Sequence, residues 1–144
     1  VLHLPIRRLD PDLPLPRAMR AGDAAVDLPA RVDAVVEPGR RQLVPTGFAV
    51  AVPEGWCGLI LPRSGLALDH GITVLNAPGL IDAGYRGELQ VILVNTGHES
   101  VGIARGQRIA QLLLQPAPDV VLAEVDELPP AIDDRGDRGF GSSG

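Results

Sequence analysis

Lysine is absent from this 144-residue chain, and all thirteen basic side chains are arginine. That excludes a Walker-type phosphate loop, whose lysine contacts the terminal phosphates. Against 18 acidic residues the arginines leave a formal net charge of −5, which argues against a nucleic-acid binder needing a basic face to offset phosphates. Arginine's planar fork suits phosphate recognition, although a GC-rich genome accounts for most of this bias. The single cysteine, Cys57, rules out an internal disulfide and a cysteine-rich zinc site, and is compatible with a reducing interior. His3, His70 and His98 lie far apart and have no metal-ligand spacing. No run approaches the ~18 apolar residues of a membrane span. Residues 1–6, followed by Arg7-Arg8, lack the extended apolar core of a secretion signal. A cytoplasmic protein, bound to neither membrane nor nucleic acid, is the expectation.

Helical periodicity is also missing from any long stretch. What the chain has instead is 17 glycines and 14 prolines, distributed between short runs rich in valine, isoleucine and leucine. This punctuation predicts an all-β domain. Candidate strands cover residues 2–6, 31–36, 42–52, 56–61, 72–75, 88–94, 100–104, 108–114 and 120–124, with one helical turn at 64–68. So many short strands at regular spacing predict a sandwich, barrel or jelly roll. A hydrophobic content of 45% over this length suits one compact domain. The composition changes after Asp126, so residues 1–128 are expected to form the β-domain and 129–144 a flexible tail.

One segment stands out, Gly79-Leu80-Ile81-Asp82-Ala83-Gly84-Tyr85-Arg86-Gly87-Glu88, which runs directly into an apolar strand. Its glycines allow close backbone approach to a ligand, its aspartate can serve as a base, and its tyrosine can pack on a sugar or base. An Asx-type turn with a structural tyrosine would read similarly. Four further segments set polar residues among small ones at sharp turns: Asp23-Ala24-Ala25-Val26-Asp27-Leu28, Pro62-Arg63-Ser64-Gly65-Leu66-Ala67, Arg105-Gly106-Gln107-Arg108-Ile109-Ala110-Gln111-Leu112, and the tail. The tail's Gly139-Phe140-Gly141-Ser142-Ser143-Gly144 also fits a dinucleotide-binding pattern. With no strand before it and no helix after it, there is no helix N-terminus to hold a pyrophosphate.

In order and spacing these five segments closely resemble the five motifs of the homotrimeric deoxyuridine triphosphate nucleotidohydrolases, the dUTPases, over about residues 23–144. The resemblance implies a jelly-roll-like β fold, a homotrimer with active sites shared between subunits, and tails that reach over a neighbour's site. It implies hydrolysis of dUTP to dUMP and pyrophosphate with Mg2+ carried on the triphosphate, which keeps uracil out of DNA and supplies dUMP for thymidylate synthesis. Asp82 matches the carboxylate that orients and deprotonates water for attack on the α-phosphorus. Asp27 matches an aspartate held near the metal through its waters; a turn or cap aspartate is the alternative. Arg63, Ser64 and Gly65 match the phosphate-binding second motif, with a surface salt bridge as the alternative for Arg63. Gln111 matches the glutamine that contacts the α-phosphate and the water, or is an ordinary polar strand residue. Arg135, Phe140, Gly141, Ser142 and Ser143 match the motif that binds the γ-phosphate and covers uracil. Tyr85 matches the ring that packs on deoxyribose and excludes a 2′-hydroxyl, within a turn that includes Gly79 and Ile81, and Asn76 sits where the family has a polar residue that helps to hold uracil.

A β-hairpin there is expected to offer a backbone N–H to O4 and a C=O to N3–H of uracil, a pattern that cytosine mismatches. Two positions depart from the family pattern, Ala25 and Arg138, where glycine is usual. Competing readings are the related dCTP deaminases, which use a glutamate-centred site and lack such a tail, and a nucleotide sensor without turnover, in which Asp82 would have no purpose.

Overall fold

The computed structural model describes residues 1–18, 20–132 and 136–137. Ten strands and one short helix follow in the order β1 (Ile6–Arg8), β2 (Ala25–Pro29), β3 (Ala34–Val36), β4 (Arg41–Val50), β5 (Trp56–Leu61), α1 (Ser64–His70), β6 (Ile72–Val74), β7 (Gly79–Ile81), β8 (Glu88–Asn95), β9 (Val101–Ile103) and β10 (Arg108–Pro116). They form one four-stranded sheet in the order β1-β4-β8-β6, a second in the order β2-β10-β5-β7, and a two-stranded β3-β9 ribbon. Every strand pair is antiparallel. The result is the jelly-roll-like all-β fold that the sequence predicts.

Period-two alternation builds the core. Leu89, Val91 and Leu93 of β8 turn inward, and so do Ile60 of β5, Ile72 and Val74 of β6, Leu28 of β2 and Leu112 of β10. Together with Val36 and Ile103 from the ribbon they make one cluster, so all three sheets share a single hydrophobic interior. The two buried polar residues among those described are internally satisfied: Thr46 donates to Leu89 O at 2.8 Å, and Asn95 donates to Val36 O and Glu99 O at 2.8 and 2.7 Å. Outside this core an ion-pair network ties loops together. Arg105 grips Asp10 with two bonds of 2.6 and 3.0 Å, and Arg31 bridges from Asp10 to Glu88.

Several strands differ from expectation. β1 starts at Ile6, where residues 2–6 were expected, because an edge strand exposed at all three positions carries no alternation signal. Residues 31–33 fall outside β3, since Arg31 instead directs its side chain to Asp10 and Glu88. β7 lies inside a segment read as a turn, and β2 overlaps another and ends one residue beyond it. No strand forms at 120–124; Val120, Val121 and Leu122 are 76%, 90% and 91% exposed, having no partner strand among the described residues.

Candidate active site

The second sheet carries most of the chemistry on its outward face. Asp27 of β2 registers with Gln111 of β10, and Gln111 with Leu61 of β5, which places the three side chains in one row. Their neighbours Leu28, Leu112 and Ile60 point into the core, so Asp27 and Gln111 must point out. β5 ends at Leu61 and the chain enters α1 through Pro62 and Arg63, bringing Arg63, Ser64 and Gly65 to the end of that row. A groove of about 780 Å³ opens there, lined by Asp27, Arg63, Ser64, Gly65, Gln111 and Arg108, with Arg20 and Asp23 at its rim.

Asp27 organises this groove. One carboxylate oxygen accepts Arg63 Nε at 2.9 Å and the other accepts Arg108 Nη1 at 3.0 Å. The salt bridge offered as the alternative for Arg63 is therefore present. It points the guanidinium along the groove wall and does not remove it from the groove. Gln111 Nε2 donates to Pro62 O at 2.9 Å and so ties β10 to the turn entering α1. Gly65 has open space where a Cβ would stand, and an incoming group can reach the backbone of that turn. Ala25, the first departure from the family pattern, is the first residue of β2 and pairs with Leu113, an extended conformation that alanine adopts without strain.

Arg108 is the residue that reading the sequence missed. A register shift between Arg108 and Ala110 lets both Ile109 and Ala110 turn inward, which returns Arg108 to the outward face beside Gln111. Three arginines gather against two aspartates in a protein of net negative charge, and this suits the groove to a polyanion. No cluster of three or more potential metal ligands occurs among the described residues. Asp27 and Asp23 supply the hard oxygen donors nearest the groove. A magnesium ion that arrives on phosphate oxygens and keeps its waters fits that donor set through Asp27, whose oxygens retain lone pairs; a fully protein-bound ion does not.

Asp82 and Tyr85 stand elsewhere. β7 pairs with β5, while β8 pairs with β4 and β6, so the expected hairpin opens into a corner between sheets. Leaving β7 at the sheet edge keeps one side of its backbone unladdered. Beside it lies a narrow cleft of about 50 Å³ lined by Asn76, Gly79, Ile81, Ile60, Val74 and Gln90 among others. Gly79 is buried there, its missing Cβ lying 3.2 Å from Ile60 Cβ and 3.3 Å from Asn76 Nδ2. The exposed turn beyond carries Asp82, whose carboxylate has no hydrogen-bond or ion-pair partner among the described residues. Tyr85 N–H donates to Asp82 O at 3.0 Å, and Tyr85 Oη donates to Glu88 O at 2.9 Å. Arg86, the turn's one cation, commits Nη1 to Ala83 O and Tyr85 O at 2.6 and 2.8 Å.

The sequence-predicted residues thus form two groups that share no lining residue. Arg135, Phe140, Gly141, Ser142 and Ser143 lie outside the described residues. A dUTPase family model matches residues 12–144. The chain belongs to the dUTPase family. It is 53% identical over 144 residues to the deoxyuridine 5′-triphosphate nucleotidohydrolase of Thermobifida fusca, covering 99% of this chain and 79% of that protein. The Mycobacterium bovis deoxyuridine 5′-triphosphate nucleotidohydrolase is 54% identical, with 98% and 94% covered. Among solved structures, the Staphylococcus bacteriophage 80alpha dUTPase with dUpNHpp superposes at a TM-score of 0.90 with 29% identity, covering 100% of this chain and 99% of that one. A mutant dUTPase from phage phi11 of S. aureus, described with a structural Mg(II) ion, gives 0.81 and 26%, with 88% and 98% covered. No described helix is long and apolar enough to cross a membrane.

Proposed function

We propose that this dUTPase-family chain hydrolyses dUTP to dUMP and pyrophosphate at sites completed between chains of a homotrimer. The carrying observation is the division of the motif residues: in the groove Asp27 is ion-paired to both Arg63 and Arg108, whereas the Asp82 carboxylate, on a separate turn, has no partner among the described residues. The groove supplies cations and the turn an unengaged carboxylate. A neighbouring subunit's Asp82 brought against the groove of Asp27, Arg63, Ser64, Gly65 and Gln111 would make one site. The outward face supports such an assembly, since Ala25, Leu113, Leu59 and Leu80 register as an apolar row across all four strands, with Leu80 61% exposed.

In the assembled site uracil enters the cleft beside β7, where the edge backbone offers its polar pattern and Asn76 assists. The narrow walls of Ile60, Ile81 and Val74 exclude a 5-methyl group by steric closure. Tyr85 packs on the deoxyribose. Arg63, Ser64 and Gly65 bind phosphate oxygens, and Arg108 joins them. Gln111 holds the α-phosphate and the nucleophilic water. Asp82 accepts a proton from that water as its oxygen bonds to the α-phosphorus; the α–β bridging oxygen departs with pyrophosphate. Magnesium, when carried in on the triphosphate, neutralises phosphate charge, and Asp27 would hold its waters. Residues 129–144 form the tail, in which Arg135, Ser142 and Ser143 meet the γ-phosphate and Phe140, next to Gly141, covers uracil. In the cytoplasm this reaction keeps uracil out of DNA and supplies dUMP for thymidylate synthesis.

Release of pyrophosphate from dUTP is the direct test. Tight dUTP binding without turnover would turn the reading toward a sensor, and ammonia release from dCTP would turn it toward a deaminase.

A further inference from the structure

Tyr85 rests on backbone that has no side chain. A Cβ placed on Gly87 would lie 2.5 Å from Tyr85 Oη, 2.7 Å from Cζ and 3.1 Å from Cε2. Gly87 has no left-handed φ to accommodate, so the ring alone requires glycine there. Gly84, three residues earlier in the same turn, also has no left-handed φ, and its Cβ would meet nothing within 4 Å. The next residue holds that same hydroxyl end. Glu88 O accepts Tyr85 Oη at 2.9 Å. The Glu88 carboxylate accepts the Gly47 N–H at 2.8 Å and pairs with Arg31 Nη1 at 3.2 Å. Glu88 therefore joins three things: the tyrosine hydroxyl, the left-handed bend of β4 at Gly47, and the Arg31–Asp10 network.

We infer that Gly87 and Glu88 form the seat that sets the height of the Tyr85 ring over the sugar, which makes Gly87 a specificity-determining position for deoxyribose over ribose. This rests on the reading that Tyr85 packs on the nucleotide sugar. A ring whose hydroxyl end lies against Gly87 and is anchored to Glu88 O cannot retreat when a 2′-hydroxyl arrives. A methyl on Gly87 would force the ring away from its seat by an ångström or so and break its bond to Glu88 O, since ordinary contact needs roughly 3.5–4 Å. The gap opened is comparable to one small substituent, whose rejection in a fitted pocket is worth ~10–200-fold. Glu88 is a positioning residue and touches no substrate.

The test compares kcat/KM for dUTP and UTP in the unaltered protein and in Gly87→Ala, with both proteins carrying 3-fluorotyrosine. Because the chain has one tyrosine, the 19F spectrum reports Tyr85 alone. In Gly87→Ala the resonance should shift and the dUTP-over-UTP ratio should fall at least ~10-fold, whereas Gly84→Ala should leave the resonance in place. An unmoved resonance or an unchanged ratio in Gly87→Ala overturns the seat. Should Gly87→Ala not fold, Tyr85→Phe, which keeps the ring but loses its bond to Glu88 O, decides by the dUTP-over-UTP ratio: a fall supports the anchored seat and an unchanged ratio overturns it. Tyr85→Ala separates the levels of the argument. If it keeps the wild-type ratio, the sugar contact fails and the seat falls with it; if wild type does not hydrolyse dUTP, the proposed function itself fails.

Discussion

Mixing two crippled variants should restore turnover. Asp82→Asn removes the base but leaves the arginine groove whole; Arg63→Ala removes a phosphate ligand but leaves the Asp82 turn whole. Alone, Asp82→Asn should lose ~10²–10⁴ in kcat while keeping nucleotide affinity. Arg63→Ala, which gives up a hydrogen bond to a charged group worth ~1.5–3 kcal/mol, should lose about 10–100-fold. The structure puts Asp82 on the corner after β7 and Arg63 at the start of α1, and Asp82 does not line the groove that Arg63 lines. If one chain supplies Asp82 and its neighbour Arg63, a site is intact when the first chain is the Arg63 variant and the second the Asp82 variant. With random assortment from an equal mixture, each condition holds half the time, so about one quarter of the sites recover. The two proteins would be unfolded together, refolded, and assayed for pyrophosphate release from dUTP, with subunit exchange verified by native mass spectrometry. Recovery near one quarter of wild-type activity exceeds the residual activity of either parent. Activity that stays at the mean of the parents, in assemblies shown to be mixed, would refute the division of the site between chains. A near-normal rate in Asp82→Asn alone would remove that residue from the base role.

Removing residues 135–144 is expected to leave the thermal midpoint within a few degrees of wild type, because among the described residues the buried core ends at Leu112. The same deletion should depress turnover at least ~10-fold if those residues bind the γ-phosphate and cover uracil; a deletion that unfolds the protein would make the tail structural. Asp10 supplies a pH prediction. The Arg105 guanidinium bonded to it holds its carboxyl down, from the ordinary 3.8 to about 2, against the opposing effect of partial desolvation. A depressed folded-state value means the ion pair stabilises fully above pH ~4 and loses that contribution as pH falls toward 2. Asp10→Asn should therefore melt below wild type at neutral pH, and the gap should close on acidification. A gap independent of pH would show that the carboxylate's charge is not what Asp10 contributes.

What the sequence made legible follows from where burial writes a pattern. β5 was read with the bounds it has, and β8 to within one residue, because their alternate side chains enter the core. β2 and β7 were read as turns because five- and three-residue strands with a glycine or aspartate inside them carry more turn signal than alternation. The apolar run at 120–124 erred the other way: its side chains suit a strand, but a strand needs a partner, and none of the described residues supplies one. The site was legible as motifs and illegible as geometry. Arg108 and Gln111 are three apart, a spacing that sends side chains to opposite faces of a regular strand, and only the β10 bulge puts them together. Nor does sequence order show that Asp82 and Arg63 fall in separate groups, since that depends on β7 joining β5 while β8 joins β4 and β6. The same crossing explains why the Asp82 turn needs a seat of its own. A hairpin would have held Tyr85 by cross-strand pairing; a corner between two sheets has no such ladder, and the bare backbone of Gly87 and the anchored Glu88 supply the rigidity instead.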